Sequence, residues 1–403
     1  MRRVKTDTQC VHFEANRDQF DAISPPIYQT ATFRQATASE FGEYDYTRTA
    51  NPTRTLVERQ LATLEGGSRA CAFASGMAAI TALTRLLEAG DHIIAGNDLY
   101  GGTVRLLDQI LSRASISVSY VDTTNLEEVR ASLTERTRLL VIESPTNPLL
   151  RICDIKALAQ LAHSAGAILA VDNTMLSPCF QRPLALGANV VIHSATKFLC
   201  GHSDVTAGAL MTNDLKLHRQ LAFQQNAEGA GLSPFESWLL LRGMKTLALR
   251  VTRQNASAQR IADFLSKHSA VENVYYPGVT NHRGYQLHRT QATGNGAVIS
   301  FTTGNVSLSE RFVSTTRLFN IAVSFGSVHS TISLPAKMSH SSIPQLLKAK
   351  IAPSPDLVRL SIGIEDVDDL LDDLVQAFDV VLDRNVLVRL PRGMRSKPSS
   401  AIP

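Results

Sequence analysis

The chain has 403 residues, 44% of them hydrophobic and 19% charged, with a formal charge of +4 from 40 basic and 36 acidic side chains. That composition excludes a disordered chain and allows two or more domains around a large buried core. The small charge excess gives no ground for nucleic-acid binding. No apolar run is long enough to cross a bilayer and the N-terminus "MRRVKTDTQCVHFEANRDQF" has no apolar signal core, so a soluble cytoplasmic protein is expected.

The first 50 residues, rich in Tyr, Thr, Pro and Asn, read as an extended arm, drawn here over residues 1–55. An amphipathic helix fits "SGMAAITALTRLLEAG", and "DHIIAG" follows as a short buried strand. Next come a helix through "TVRLLDQILSRA", the strand "ISVSYVD", the helix "NLEEVRASLTER" and the strand "RLLVIES". The helix "DIKALAQLAHSAG" and the strands "AILAVDN" and "ANVVIHS" complete the run. Short continuous apolar strands between helices predict an α/β domain over 56–242, with a mostly parallel sheet covered on both faces. A long helical periodicity over 233–268 leads into a smaller α/β domain, 243–390. It has strands such as "NGAVISFTT" and "DLVRLSIGI", and helices such as "LSERFVSTTRLF" and "DVDDLLDDLVQAFDVVL". The tail 391–403, with Arg392, Arg395 and Lys397, is a poor core former expected to fray. Five scattered cysteines suit reduced thiols better than a disulfide framework. Cys200 and His202 lack a second half-site at finger-like spacing, so no metal is expected.

In an open parallel sheet, ligands bind outside the carboxyl ends of the strands. Just past "RLLVI" come Glu143, Ser144, Thr146 and Asn147; past "AILAV", Asp172 and Asn173; past "ANVVI", His193, Ser194, Thr196 and Lys197. Asp172 and Lys197 thus occupy equivalent places at one sheet edge, where they are either a structural ion pair or a pair serving a cofactor. Pyridoxal phosphate needs both, a carboxylate to keep its ring nitrogen protonated and an amine to hold its aldehyde as a Schiff base. A phosphate cradle is available where Ser75, Gly76 and Met77 open a helix, although Ser-Gly there also reads as a plain N-cap. Ser194 and Thr196 add hydroxyls. Tyr100 in "NDLYGGT" is either a flat partner for the ring or the closure of a turn.

"SATKFLCGHSD", "VDNT", "ESPTNP", "SGMAA", "YGGT" and "YDYTRTANPTR" together resemble the Cys/Met-metabolism family of pyridoxal-phosphate enzymes, from about residue 5 to 385. The resemblance implies the aspartate-aminotransferase-like fold type I, with a pyridoxal-phosphate domain and a smaller C-terminal one. It also implies roles. Lys197 would hold the cofactor aldehyde, Asp172 the pyridine nitrogen, Tyr100 the ring face, and Gly76, Met77, Ser194 and Thr196 the phosphate. Tyr46 and Arg48 would reach the phosphate of a neighbouring subunit, in a homotetramer built from active dimers. Arg359 in "LVRLSIG" would grip the substrate α-carboxylate, with Asn147 and Ser324 nearby; a buried structural arginine is the other reading. Tyr100 would also assist proton transfer. Within the family, "QNAEGAGLSPFESWLLLRGMKTLALR", "IAVSFGSVHSTISLP" and "SIGIEDVDDL" look most like plant-type cystathionine β-lyases. Many γ-acting relatives carry an acidic residue at the "SLGGxES" slot that His329 fills here, and methionine γ-lyases a cysteine at Gly102. The expectation is β-elimination from cystathionine; γ-cleavage, γ-synthesis, homoserine-ester sulfhydrylation or, more distantly, a non-catalytic ligand-binding relative are the rivals.

Overall fold

Adjacent residues of the central strands are both apolar because the sheet is covered twice. Seven strands form it: β1 (Arg69–Phe73), β2 (His92–Gly96), β3 (Ser117–Val121), β4 (Thr137–Glu143), β5 (Ile168–Asp172), β6 (Val190–His193) and β7 (Gly208–Thr212). In the computed structural model, which describes residues 4–12, 19–339 and 352–382, their order is β1-β7-β6-β5-β4-β2-β3. The five strands from β3 to β6 are parallel; β7 runs antiparallel to both β6 and β1. Ile93 and Val141 pack on one face with Leu83 and Leu107, while Ile94, Leu140 and Ile142 pack on the other with Ile155 and Leu158. The expected parallel sheet covered on both sides is therefore present.

A second sheet holds β8 (Asn273–Tyr275), β9 (Val298–Thr302), β10 (Asn320–Ile321), β11 (Thr331–Ser333) and β12 (Val358–Ser361), in the order β10-β11-β12-β9-β8. Phe301 on β9 meets Phe312 and Phe378 from the helices Val306–Thr315 and Val367–Val381. The same continuous core reaches Val191 and Met211 of the first sheet and Leu61 of the helix Pro52–Glu65. Burial of that apolar surface locks the second sheet against the first, at roughly 25 cal/mol per Å².

Several elements differ from the sequence expectation. The periodicity over 233–268 is two helices, Pro234–Met244 and Leu247–Leu265. In the last turn of the first, Gly243 lies against the Lys197 segment so closely that a Cβ would sit 2.3 Å from the Cys200 carbonyl oxygen. The helix in "NLEEVRASLTER" stops at Ala131, where the Ser132 hydroxyl bonds back to Glu128 O (2.9 Å) and Thr137 Oγ1 takes the Thr134 N–H (2.9 Å). Hydroxyls near the chain offer the backbone partners that compete with helix. The stretch "TVRLLDQILSRA" is helical but irregular, with a wide π turn at Leu106–Ile110 and a tight 3-10 turn at Leu111–Ala114. Strands β1 and β7 were not anticipated at all. The described part of the arm is mostly extended, with the short helix Thr6–Val11 and one bridge between Thr32 and Tyr46. The tail 391–403, with Arg392, Arg395 and Lys397, lies outside the described residues.

Candidate active site

β4, β5 and β6 end side by side, and a cavity of about 500 Å³ opens beyond them. Asp172, Ser194, Thr196 and Lys197 line it from the strand ends, Gly76 and Met77 from the start of the helix Gly76–Thr84, and Tyr100 from the turn after β2. Asn147, Ser324 and Arg359 close the side toward the second sheet. Ten of the twelve expected site residues thus share one cavity. Tyr46 and Arg48 do not. They line a separate cavity of about 420 Å³, where Arg48 donates to Asn226 O (3.0 Å) and lies over the exposed Tyr46 ring. Asn173 and His193, also past strand ends, turn away to bond buried Glu65.

The amine of Lys197 is removed from water by burial, and the positive charge of Arg359 adds to that effect. Together they bring its pKa down to about 8 against the opposing pull of Asp172. Lys197 Nζ donates to Ser324 Oγ, and Ser324 reaches it from a left-handed backbone with φ of 89°. A non-glycine residue in that region is strained and persists only where its surroundings hold it. Arg359, 2% exposed, donates to Asn147 Oδ1 (2.8 Å) and Ser324 O (3.1 Å), which leaves other guanidinium N–H donors for a ligand. Burial pulls its pKa down to about 10. Asp172 has its pKa raised by burial, opposed by hydrogen bonds from Thr174.

The cavity suits pyridoxal phosphate on one structural test. A Cβ on Gly76 would lie 3.1 Å from Ser194 Cβ and Oγ, so the helix start and the lysine segment approach closely enough that a side chain there would press on Ser194. That contact leaves open the mouth of a helix whose first N–H groups have no intrahelical acceptor, as an anion requires. Ser75 caps the same helix by accepting from Ala78 N (3.0 Å). Tyr100, 41% exposed, borders the cavity with its ring, and a Cβ on Gly102 would lie 2.4 Å from its Cε1. A cysteine at Gly102 therefore requires the Tyr100 ring to move.

Residues 7–379 match the family described as Cys/Met metabolism PLP-dependent enzyme. The chain belongs to this family. It is 52% identical over 375 residues to a chloroplastic cystathionine beta-lyase of Arabidopsis thaliana, covering 93% of this chain and 81% of that one. It is 50% identical over 378 residues to a cystathionine beta-lyase of Neurospora crassa, covering 93% and 82%. Among solved structures, cystathionine gamma-lyase from Lactobacillus plantarum complexed with L-serine superimposes with a TM-score of 0.91 at 43% identity, covering 94% of this chain and 100% of that one.

Four supports of this Cys/Met-metabolism site were not picked out from the sequence. Thr174 accepts the Ser194 N–H (2.9 Å) on the hydroxyl that it turns toward Asp172, tying the ends of β5 and β6. Its signal was present in "VDNT". Phe325 lies under both cations, 5.2 Å from Lys197 Nζ and 5.3 Å from Arg359 Cζ. Buried Arg250 donates to Phe198 O (2.8 Å), Leu199 O (3.3 Å) and Gly243 O (2.9 Å), and so braces the turn behind Lys197. Gln254, one turn further along the same helix, donates to Ser327 O (2.7 Å) in the Ser324 loop. Nothing in local spacing announces these long-range contacts. Cys200, considered for metal, turns its thiol to Asp204 Oδ1 (3.3 Å), and among the described residues no group of three metal-ligating side chains forms. All five thiols are free. No described helix is long and apolar enough to cross a membrane.

Proposed function

We propose that the chain is a cystathionine β-lyase: it splits L-cystathionine to homocysteine, pyruvate and ammonia, a step of methionine biosynthesis. The observation carrying this reading is the buried amine of Lys197, sharing one cavity with the guanidinium of Arg359, in a chain about half identical to two proteins named cystathionine beta-lyase. Lys197 would hold the aldehyde of pyridoxal phosphate, Asp172 its ring nitrogen, Tyr100 its face, and Gly76, Met77, Ser194 and Thr196 its phosphate. When bound, that group supplies an aldehyde carbon and an electron-accepting ring.

The protein's own groups do the rest. Arg359 orients the substrate through its α-carboxylate, a planar two-point contact that lysine makes poorly. Asn147 and Ser324 hold the guanidinium in place from behind. Lys197, neutral in part near pH 8, takes the Cα proton, because only an unprotonated amine is a base. Tyr100 accepts a proton from the incoming substrate amine. Cleavage of the Cβ–S bond releases homocysteine, and water converts the remainder to pyruvate and ammonia.

The active assembly is proposed as a homotetramer of dimers in the cytoplasm, with the arm 1–55 reaching a neighbour and domains over 56–242 and 243–390. Exposed Phe20, Ile23 and Phe41 on the arm support association, since Ile23 is 98% exposed in a single chain. Incubation with L-cystathionine tests the reaction. Pyruvate with homocysteine is the expected outcome; 2-oxobutyrate with cysteine would transfer the chain to the γ-acting relatives.

A further inference from the structure

Glu143 ends β4 directly opposite Asp172 in the parallel ladder and is 6% exposed. Its two oxygens serve different loops. Oε1 accepts the Tyr100 N–H at 2.9 Å, and Oε2 accepts the Asn147 N–H at 3.1 Å. Beyond Asn147 the chain of contacts continues through Arg359 to Ser324 and on to Lys197. The carboxylate therefore joins the turn bearing the aromatic ring to the loop that seats the carboxylate-binding arginine.

Keeping an acid there is costly. Burial and the neighbouring Asp172 both push the Glu143 pKa well up, against the two N–H bonds that favour its charge. A glutamine of equal size could satisfy only one of these N–H groups, because its other terminal atom is a donor. We infer that Glu143 is a positioning residue, whose carboxylate clips the Tyr100 turn and the Asn147 loop to the sheet edge and so sets the distance between the ring site and the arginine. The inference rests on the roles proposed above for Tyr100 and Arg359.

Glu143→Gln tests it, with Asp373→Asn as control. Asp373, on the helix Val367–Val381, likewise accepts backbone N–H groups, from Arg317 (2.9 Å) and Leu318 (2.8 Å), and none of these three residues lines the cavity. Three quantities are read: amide exchange of segments 98–103 and 145–150 in the cofactor-free protein, pyridoxal phosphate affinity by equilibrium dialysis, and KM against kcat for L-cystathionine. In Glu143→Gln, exchange in both segments rises, the cofactor dissociation constant and KM each rise about tenfold, and kcat falls less than KM rises. Asp373→Asn melts earlier but leaves all three unchanged. Unchanged exchange in Glu143→Gln overturns the clip. Raised exchange with unchanged affinity and KM overturns its positioning role. If the wild-type protein neither takes up pyridoxal phosphate nor turns over cystathionine, the functional reading fails, while the exchange result still decides the clip. Should Glu143→Gln not fold, Glu143→Asp keeps the charge on a shorter arm and is expected to raise KM about threefold; an unaltered KM there overturns the proposal.

Discussion

The strand-edge cavity and the cavity beside Arg48 are similar in size and opposite in construction. In the first, the ends of β5 and β6 and the strand β12 of the second sheet deliver Asp172, Lys197 and Arg359, and side chains from three further segments fix their orientation. In the second, Tyr46 and Arg48 sit on exposed chain, Arg48 in a turn closed by the Thr49 and Ala50 N–H groups on Tyr46 O and anchored to Asn226. The difference teaches how a sheet edge and an arm each hold a side chain. A cavity built on a sheet fixes its groups through buried contacts within one chain, whereas Tyr46 and Arg48 are presented on exposed backbone.

Four experiments break or sharpen that contrast. Lys197→Ala removes the amine on which the first cavity depends; kcat should fall by about 10⁴-fold or more, the upper end of what a general base contributes. Turnover near the wild-type rate would remove Lys197 from its role. Arg359→Lys keeps the charge but loses the planar fork, and KM should rise roughly 10- to 100-fold by the worth of charge-assisted hydrogen bonds. An unchanged KM would make Arg359 a structural residue. For the second cavity, Arg48→Ala and Lys197→Ala are each made and then mixed through reversible dissociation. If Arg48 serves a neighbouring copy, the mixture regains about a quarter of wild-type activity, because half the dimers are mixed and each has one intact site. No regain would confine Arg48 to its own chain.

The smallest effect is on stability. The amine of Lys197 has a pKa near 8 in the folded protein against 10.5 as a model value. Between those pH values the unfolded chain binds a proton that the folded chain has released, so this group makes stability rise with pH through that window. Below about pH 8 both forms are protonated and the cost of the buried charge, roughly 3 kcal/mol, is felt in full. Cofactor-free Lys197→Met should therefore melt above cofactor-free wild type at pH 7, and the gap should narrow as pH rises toward 10.5. A gap independent of pH would show that the amine is not desolvated.

Much of the first cavity was legible because strand-end positions follow directly from apolar runs. Asp172 ends β5 and Lys197 follows β6 by four residues, so the parallel-sheet reading places them together at one edge. The supporting contacts were not legible. Arg250 braces residues about fifty positions away, and the Glu143 clip depends on which way two loops turn. Strand β7 escaped notice because "GALMT" is fully buried yet short and bounded by Gly and Thr, so neither alternation nor an aliphatic run marks it. The break at Lys245 and Thr246 was hidden because neither residue is a glycine or proline that would mark it.

Arg250 and Gln254 stand one turn apart on a single helix, one bolted to the lysine's mount and the other to the Ser324 loop. That helix thereby acts as a gauge between the lysine's turn and the loop whose Ser324 carbonyl accepts from Arg359. Every α-amino acid has the same separation between its α-carbon and its carboxylate, so on the roles proposed for Lys197 and Arg359 the gauge would suit the invariant part of the substrate.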